Sequence, residues 1–440
     1  MEEAIIASAT PSNIRSALHL IRLSGTNVID IVASCFEKKI DKKDRKIYVG
    51  FINEKDKIID QVVLLIFPAP FSYTGEDVVE IICHGNPIIN NEIISLFLSK
   101  GVRLAKNGEF TYRAFLNKKM DLIEAESVND LINAATSESK QIILNSLNGK
   151  TSSLLKPIKE RILKLLSNIE VNIDYSEYKD IEKINKKNIV KEVLDFKKQL
   201  EIFIKNGEKS LIIKEGIKIS LIGKTNVGKS TLLNAILKQD KAIVTNIPGT
   251  TRDIVEGEIK IDGILLHFFD TAGIRDSNNK IEKIGIKKTF DVIKESDLVI
   301  YIKDNIKEKD DYIMQYLKNK EIIKVINKID LHNYKKEKNS DYIYVSAKNN
   351  DIFCLIDKIK EKLDINTAIF NNPSFCNARE IGLLKQAVFL INNILLEKNA
   401  PMIVLSSLIR DLLNVILDIL GEKTSIDLVN EIFSRFCVGK

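Results

Sequence analysis

Ile217 to Ser230 reads IKISLIGKTNVGKS, a short apolar run that feeds an octapeptide of the form G-x-x-x-x-G-K-S beginning at Gly223. The run predicts a buried strand, the glycines a tight loop, and STLLNAIL after Lys229 a helix. Backbone N–H groups and the positive end of the helix dipole then converge on one point, which is the arrangement a polyphosphate requires. Asn226, Val227, Gly228 and Thr231 flank that point. Lys229 is placed to reach the β- and γ-phosphates, and the Ser230 hydroxyl to ligate Mg²⁺.

Three further motifs follow in order. Asp270-Thr271-Ala272-Gly273 comes directly after the apolar run ILLHFF, where an aspartate can hold Mg²⁺ through water and a glycine amide can meet the γ-phosphate. Asn327-Lys328-Ile329-Asp330 follows IIKVI. A carboxylate only accepts, so Asp330 suits the paired N1–H and N2–H donors of guanine. Adenine has no such pair, and the mismatch costs about 1–3 kcal/mol or more. Ser346-Ala347-Lys348 follows DYIYV and offers a backbone amide to guanine O6. The four motifs together specify GTP.

Around this module the texture of the chain changes. Residues 1–117 hold short β-rich runs (AIIASAT, LHLIRLSG, VVLLIFPAPF, VVEIICHG) broken by prolines, with a helical stretch near 86–100, and predict an α+β domain. Residues 118–213 have apolar positions at three- and four-residue steps, and up to residue 206 Gly149 is the one glycine, so they predict a helical bundle. Residues 214–366 alternate strands and helices, with Asp262-Gly263 marking a tight hairpin and one antiparallel edge strand. Helical texture resumes in 367–440. The fold class expected is multidomain, α+β and α/β, with a Ras-like P-loop module inserted into a helical domain whose two segments pack together.

At 440 residues, 45% apolar and 29% charged, the chain is ordinary globular material with several cores. Net charge is +6, but Lys, Ile and Asn are abundant throughout, so the charge is weak support for RNA binding. Five scattered cysteines without C-x-x-C read as free thiols of a reducing compartment. The acidic start MEEAII and the lack of a long uncharged apolar run predict a cytoplasmic chain with no membrane association.

Between the first two motifs lies Thr245-Asn246-Ile247-Pro248-Gly249-Thr250-Thr251-Arg252-Asp253. Thr250 and Thr251 are switch candidates, one of them closing the Mg²⁺ shell. After D-T-A-G, many small GTPases place a glutamine that orients the attacking water, and here the residue is Ile274. The nearest downstream acids are Asp276 and Glu282. Spacing leaves Glu282 open between a water-orienting group and an ordinary acid favoured by a helix N-terminus.

TNVGKSTLLN, TNIPGTTRD, DTAGIRD with IEKIGI, IRLSG (21–25), YTGEDVVEIICHG (73–85), GEFTYRAFLNKKMDLIEAE (108–126) and the terminal FCVGK (436–440) together resemble the MnmE (TrmE) family of tRNA-modification GTPases over nearly the whole chain. Departures are small: valine in the terminal C-x-G-K, and Cys83 and Asn86 around His84-Gly85. The resemblance implies that Asn226, Thr245, Ile247 and Thr250 coordinate K⁺, that Ser230 and Thr251 hold Mg²⁺, and that Glu282 orients the water. A monovalent cation there stands in for an arginine finger, an effect of roughly 10³–10⁵ in rate, or about 4–7 kcal/mol. Two such modules meet face to face, so a homodimer is expected.

The resemblance also implies an N-terminal site for 5-formyl- or 5,10-methylene-tetrahydrofolate formed by Arg22, Glu80, Lys119 and Lys440. It further implies an FAD-dependent partner, MnmG, with FAD entering only through that partner, and a tRNA substrate modified at wobble uridine C5 to a carboxymethylaminomethyl or aminomethyl group. Cys437 is a candidate thiol nucleophile, with a buried free cysteine as the simpler reading. Two alternatives belong to other classes. One is a ribosome-assembly GTPase acting as a binding switch, though the chain has neither a second G module nor a G-x-x-G KH loop. The other is a folate-dependent transferase with a purely regulatory G module.

Overall fold

The computed structural model describes residues 3–174, 185–239, 257–270, 292–305, 317, 320–331, 341–363 and 371–440. Contacts group the chain into two compact units. The first comprises Met1–Asn133, Ser146–Leu200 and Gly382–Lys440, and the second Ala134–Asn145 and Glu201–Ile381. The second unit thus takes in residues 134–145 and 201–213, which lie in the segment that sequence texture marks as helical. The chain is a multidomain α+β and α/β protein, with a mostly parallel sheet inserted into helical material.

In the first unit, β1 (Ile5–Ser8), β2 (Leu18–Ser24), β3 (Lys46–Glu54), β4 (Lys57–Phe67), β5 (Val78–His84) and β6 (Arg103–Leu104) form one sheet in the order β3-β4-β5-β2-β1-β6. All its pairings are antiparallel except β1 with β6. Alternation along β2 and β5 sends Ile21, Leu23, Val79 and Ile81 to a core closed by α1 (Val28–Ala33) and α2 (Pro87–Ser99), with Ile93 and Phe97 from α2. Asn86 caps α2 by accepting from the Ile88 amide at 2.9 Å, and Pro87 follows where a helix needs no N–H. On the opposite face Leu18, Ile47 and Val49 are more than half exposed or close to it. Sequence reading missed β3. Its apolar residues fall on both faces, with Ile47 and Val49 on the open side and Ile52 in the core, so the usual inward-outward alternation is hidden.

The helical part of this unit contains α3 (Glu109–Leu116) and α4 (Leu122–Ile132). The next helices are α5 (Ser137–Leu147), α6 (Lys150–Asp174) and α7 (Lys186–Glu215), and α5 and α7 each contribute residues to both units. A capping box starts α4: Asp121 accepts from the Glu124 amide and Glu124 from the Asp121 amide, both at 2.9 Å.

In the second unit, β7 (Ile217–Ile222) leads through the loop to α8 (Lys229–Gln239). β8 (Gly257–Ile261) and β9 (Ile264–Asp270) follow, then β10 (Leu298–Lys303), β11 (Glu321–Ile326), β12 (Tyr342–Tyr344) and α9 (Phe353–Leu363). The strand order is β12-β11-β10-β7-β9-β8, parallel except for β8, which pairs antiparallel with β9 at the edge. The hairpin expected at Asp262-Gly263 is present. Both residues have positive φ, 47° and 88°, as a type I′ turn requires. β10, LVIYIK, is buried along its whole length, as a central parallel strand must be.

The chain returns through α10 (Ala378–Leu396), α11 (Met402–Leu420) and α12 (Ile426–Ser434). The two helical segments do pack together: α11 lies along α6 and touches α4. Val429, Phe433 and Phe436 close a small core with Leu122 and Ala125. Within the second unit the same pairing shows in Phe203 against Phe375, with ring centroids 5.8 Å apart, and in the Ser210–Ser374 hydroxyl bond at 2.6 Å. Among the described residues no helix is long and apolar enough to cross a membrane.

Candidate nucleotide site

Every described motif of the nucleotide site sits at the carboxyl end of a strand, on one edge of the parallel sheet, where α/β folds bind ligands. β7 delivers the chain to Gly223, and α8 begins at Lys229, six residues on. The loop doubles back tightly. Asn226 and Gly228 have φ of 66° and 92°, and a Cβ at Gly228 would collide with Nδ2 of Asn327. Lys229 is 7% exposed, and its ammonium donates to the carbonyls of Gly223 (3.1 Å) and Lys224 (3.0 Å), folded over the loop it belongs to. Val227 is buried, while the Ser230 and Thr231 side chains stand exposed on the first turn of α8.

Asn327 joins this loop to the turn that follows β12. Its Nδ2 donates to the Val227 carbonyl at 2.9 Å, and its Oδ1 accepts from the Ala347 amide at 3.1 Å. It is 2% exposed, so both bonds form in a setting where an unmade one is costly. Lys328 donates to the Asn226 carbonyl and, at 3.0 Å, to Asp304 at the end of β10. Lys328 has a left-handed backbone (φ 62°), as Asn226 does, and the bond between them holds both uncommon conformations. Ser346 donates to Asp330 Oδ1 at 2.6 Å, which orients that carboxylate. Ile329 lies between Lys328 and Asp330, its amide donating to the Val345 carbonyl at 3.4 Å. Lys348 is exposed one residue past Ala347. Sequence reasoning missed Asp304. Its signal is an acid directly after a fully buried strand, which local pattern does not distinguish from a loop acid.

Asp270 ends β9, its backbone opposite Leu221 of β7. Thr245, Asn246, Ile247, Pro248, Gly249, Thr250, Thr251, Thr271, Ala272, Gly273 and Glu282 lie outside the described residues. The donor set that is described fits a guanine nucleotide: a backbone cradle closed to side chains at position 228, a buried lysine over it, and an oriented carboxylate beyond.

A second cluster occupies the open face of the N-terminal sheet. Arg22 and Glu80 are cross-strand partners on β2 and β5 and form an ion pair at 2.7 Å, both side chains under 20% exposed. The guanidinium lies over the rings of Tyr73 (5.4 Å) and Phe110 (5.7 Å) and donates to the Gly439 carbonyl at 3.3 Å. The last residues are held there: the Phe110 amide donates to the Lys440 carbonyl at 3.1 Å, and the Gly108 amide to that of Cys437 at 3.3 Å. Burial pushes the Tyr73 phenol above its ordinary range, although Thr111 and Arg22 oppose the shift. Lys119 donates to the Pro70 carbonyl at 3.0 Å and packs on Gly75. Of the four residues implied by resemblance, Arg22, Glu80 and the backbone of Lys440 gather around the aromatic pair, and Lys119 is tied to the loop that carries Tyr73.

Beneath this cluster Arg113, 3% exposed, donates to Glu76 (3.0 Å), Glu109 (3.2 Å) and the Glu3 carbonyl (2.9 Å). Ser24 joins Glu76 and Thr74 at 2.7 Å each, so the Tyr73–Glu76 loop is fixed from below.

Two family models match: the MnmE helical domain over residues 122–437, and the GTP-binding protein TrmE N-terminus over residues 4–119. The tRNA modification GTPase MnmE of Malacoplasma penetrans is 41% identical over 448 aligned positions, covering 100% of each chain. That of Aquifex aeolicus is 38% identical over 452, again with 100% of each covered. Among solved structures, the FeoB G-domain from Methanococcus jannaschii aligns at 24% identity with a TM-score of 0.27. It covers 34% of this chain and 98% of its own.

Proposed function

The chain belongs to the MnmE family of tRNA modification GTPases, and from that premise we propose a K⁺-dependent GTP hydrolase that works with an FAD-dependent MnmG partner on the wobble uridine of certain tRNAs. The observation that carries the GTPase reading is Asn327. One buried side chain bonds the phosphate loop and the base-recognition turn together, so the cradle and the specificity carboxylate form one unit.

Within this reading Lys229 and the loop amides hold the phosphates, and Asp330 takes the guanine donors. Ser230 and Thr251 would hold Mg²⁺, and Asp270, Thr271, Ala272 and Gly273 would serve the γ-phosphate side. Asn226, Thr245, Ile247 and Thr250 would hold K⁺, which would supply positive charge to offset the negative charge that develops in the transition state. The fixed left-handed backbone of Asn226, pinned at its carbonyl by Lys328, supports a preset ligand there. Glu282 orients the attacking water, the task Ile274 cannot perform.

The N-terminal cluster supports a tetrahydrofolate site. A cation and a carboxylate beside two aromatic rings suit an amide-bearing ring system with an anionic tail. A formyl- or methylene-tetrahydrofolate when bound supplies the one-carbon unit. Arg22 orients Glu80 toward ring donors, and Lys119 and Lys440 complement the tail. The exposed apolar residues Leu18, Ile47 and Val49 on the same sheet face support a homodimer through the N-terminal segment.

GTP turnover measured in K⁺ and in Na⁺ tests the core of the proposal. The expected drop in Na⁺ is on the order of a hundredfold or more. Equal rates in the two salts refute the cation mechanism. Wobble uridines analysed by mass spectrometry after incubating tRNA with this protein, MnmG and the folate then test the pathway.

A further inference from the structure

The β8–β9 hairpin lies in the chain between the threonine-rich 245–253 motif and Asp270, the two segments to which the proposed function, on which this inference rests, gives nucleotide contacts. Its other end, the turn at Asp262-Gly263, is held by two helices. Glu138 on α5 reaches Lys260 on β8, with Oε2 and Nζ 2.7 Å apart. The Glu138 side chain also lies directly over Gly263. A Cβ there would stand 2.5 Å from its Cγ and 2.7 Å from its Cδ, and the backbone has φ of 88°. From the other side Lys360 on α9 pairs with Asp262 at 3.1 Å. Residues 134–145, more than seventy positions before the phosphate loop in sequence, group by contacts with the nucleotide unit rather than with the helices that flank them.

We propose that Glu138 is a positioning residue for GTP hydrolysis, acting through the hairpin. β9 has seven residues and is a stiff rod of roughly 20 Å at about 3.3 Å per residue. It is hydrogen-bonded to β7, the strand that feeds the phosphate loop, with Asp270 opposite Leu221. A grip on the turn resists sliding of β8–β9 along β7. Any slide at the turn appears at the other end of β9 as a displacement of the Asp270 backbone against Leu221. Reacting groups tolerate little misplacement, since about 1 Å costs as much as a hundredfold in rate. Glu138 supplies both parts of the grip: a charge for Lys260 and close packing over the turn at Gly263, where the positive φ already calls for glycine. The nucleotide unit therefore depends on a helix that lies outside the contiguous G module.

A double-mutant cycle in the full-length protein tests this. Glu138→Ala and Lys260→Ala are each expected to lower kcat at saturating GTP about fivefold, with GTP affinity and the thermal unfolding midpoint close to wild type. The double variant should lose no more than the larger single loss. A merely bracing contact would move the unfolding midpoint and leave kcat alone. Unchanged kcat in Glu138→Ala, or losses that multiply to about twenty-fivefold in the double variant, would overturn the proposal.

Discussion

At the ends of β7, β11 and β12, the groups proposed to meet the nucleotide are presented by loops and tied to one another through backbone atoms. Asn327 reaches the Val227 carbonyl and the Ala347 amide, Lys328 the Asn226 carbonyl, and Lys229 the carbonyls of its own loop. On the N-terminal sheet the pattern is reversed. Arg22 and Glu80 project from the middle of strands and are held by each other and by two aromatic rings, while a separate buried ion-pair network anchors Glu76 of the Tyr73–Glu76 loop. The first site is fixed by hydrogen bonds to the main chain, which depend little on pH. The second is fixed by charge on charge, and each partner removed leaves another exposed to the cost of unpaired burial.

This difference is open to test. The largest expected effect comes from Asn327→Ala, which leaves the Val227 carbonyl and Ala347 amide without this buried partner. At about 1–3 kcal/mol for a group left unsatisfied, GTP affinity should fall roughly a hundredfold. Nucleotide titration would check it, and a loss below threefold would mean that loop and turn are held independently. Next, Arg22→Ala should weaken tetrahydrofolate binding about tenfold or more while GTP turnover stays within about twofold of wild type. Calorimetry with the folate alone reads the first quantity and phosphate release the second. If turnover collapsed as well, the separation between the two sites would fail.

The smallest effect is one of pH. Burial works to raise the Glu109 carboxyl, but Arg103, the Lys106 amide and Arg113 more than offset it and hold the group at about 2 against an ordinary 4.5. A carboxyl depressed in the folded state contributes stability that is present above pH 4.5 and is lost as pH falls toward 2. The full difference would be about 3 kcal/mol. Arg103 is more than one-third exposed, so solvent screening reduces the expectation to about 1 kcal/mol. Denaturant unfolding of Glu109→Gln against wild type across that range should show the two curves converge in acid. A constant gap would remove the electrostatic account.

How much of each site could be read from sequence follows the same division. The phosphate loop, the Asp262-Gly263 turn, the strand that becomes β10 and the N-K-x-D segment are local. Glycine spacing, turn chemistry and apolar runs carry them within a few residues. The N-terminal cluster joins residues 22, 73, 80, 110 and 439, which no local pattern connects, and only family resemblance pointed to Arg22 and Glu80. Tyr73 and Phe110 went unassigned because an aromatic residue in a β-rich stretch is ordinary core material. Asp304 and Glu138 escaped for a related reason. Each matters through one partner far along the chain, Lys328 or Lys260, and a single acid carries no periodicity.

The close approach of Asn327 to Gly228 has an evolutionary corollary. Because any side chain at 228 would occupy the space of the Asn327 amide, and that amide closes the loop, neither position can drift alone. A lineage that acquired alanine at 228 would need a smaller residue at 327 as well, and would still carry the strain of a backbone at φ 92° that favours glycine. The two positions, about a hundred residues apart in the gene, are thus expected to behave as one epistatic unit. A mutational scan at 327 would then report a rigidity that belongs to the pair, whereas one at 228 would add the backbone's own demand for glycine.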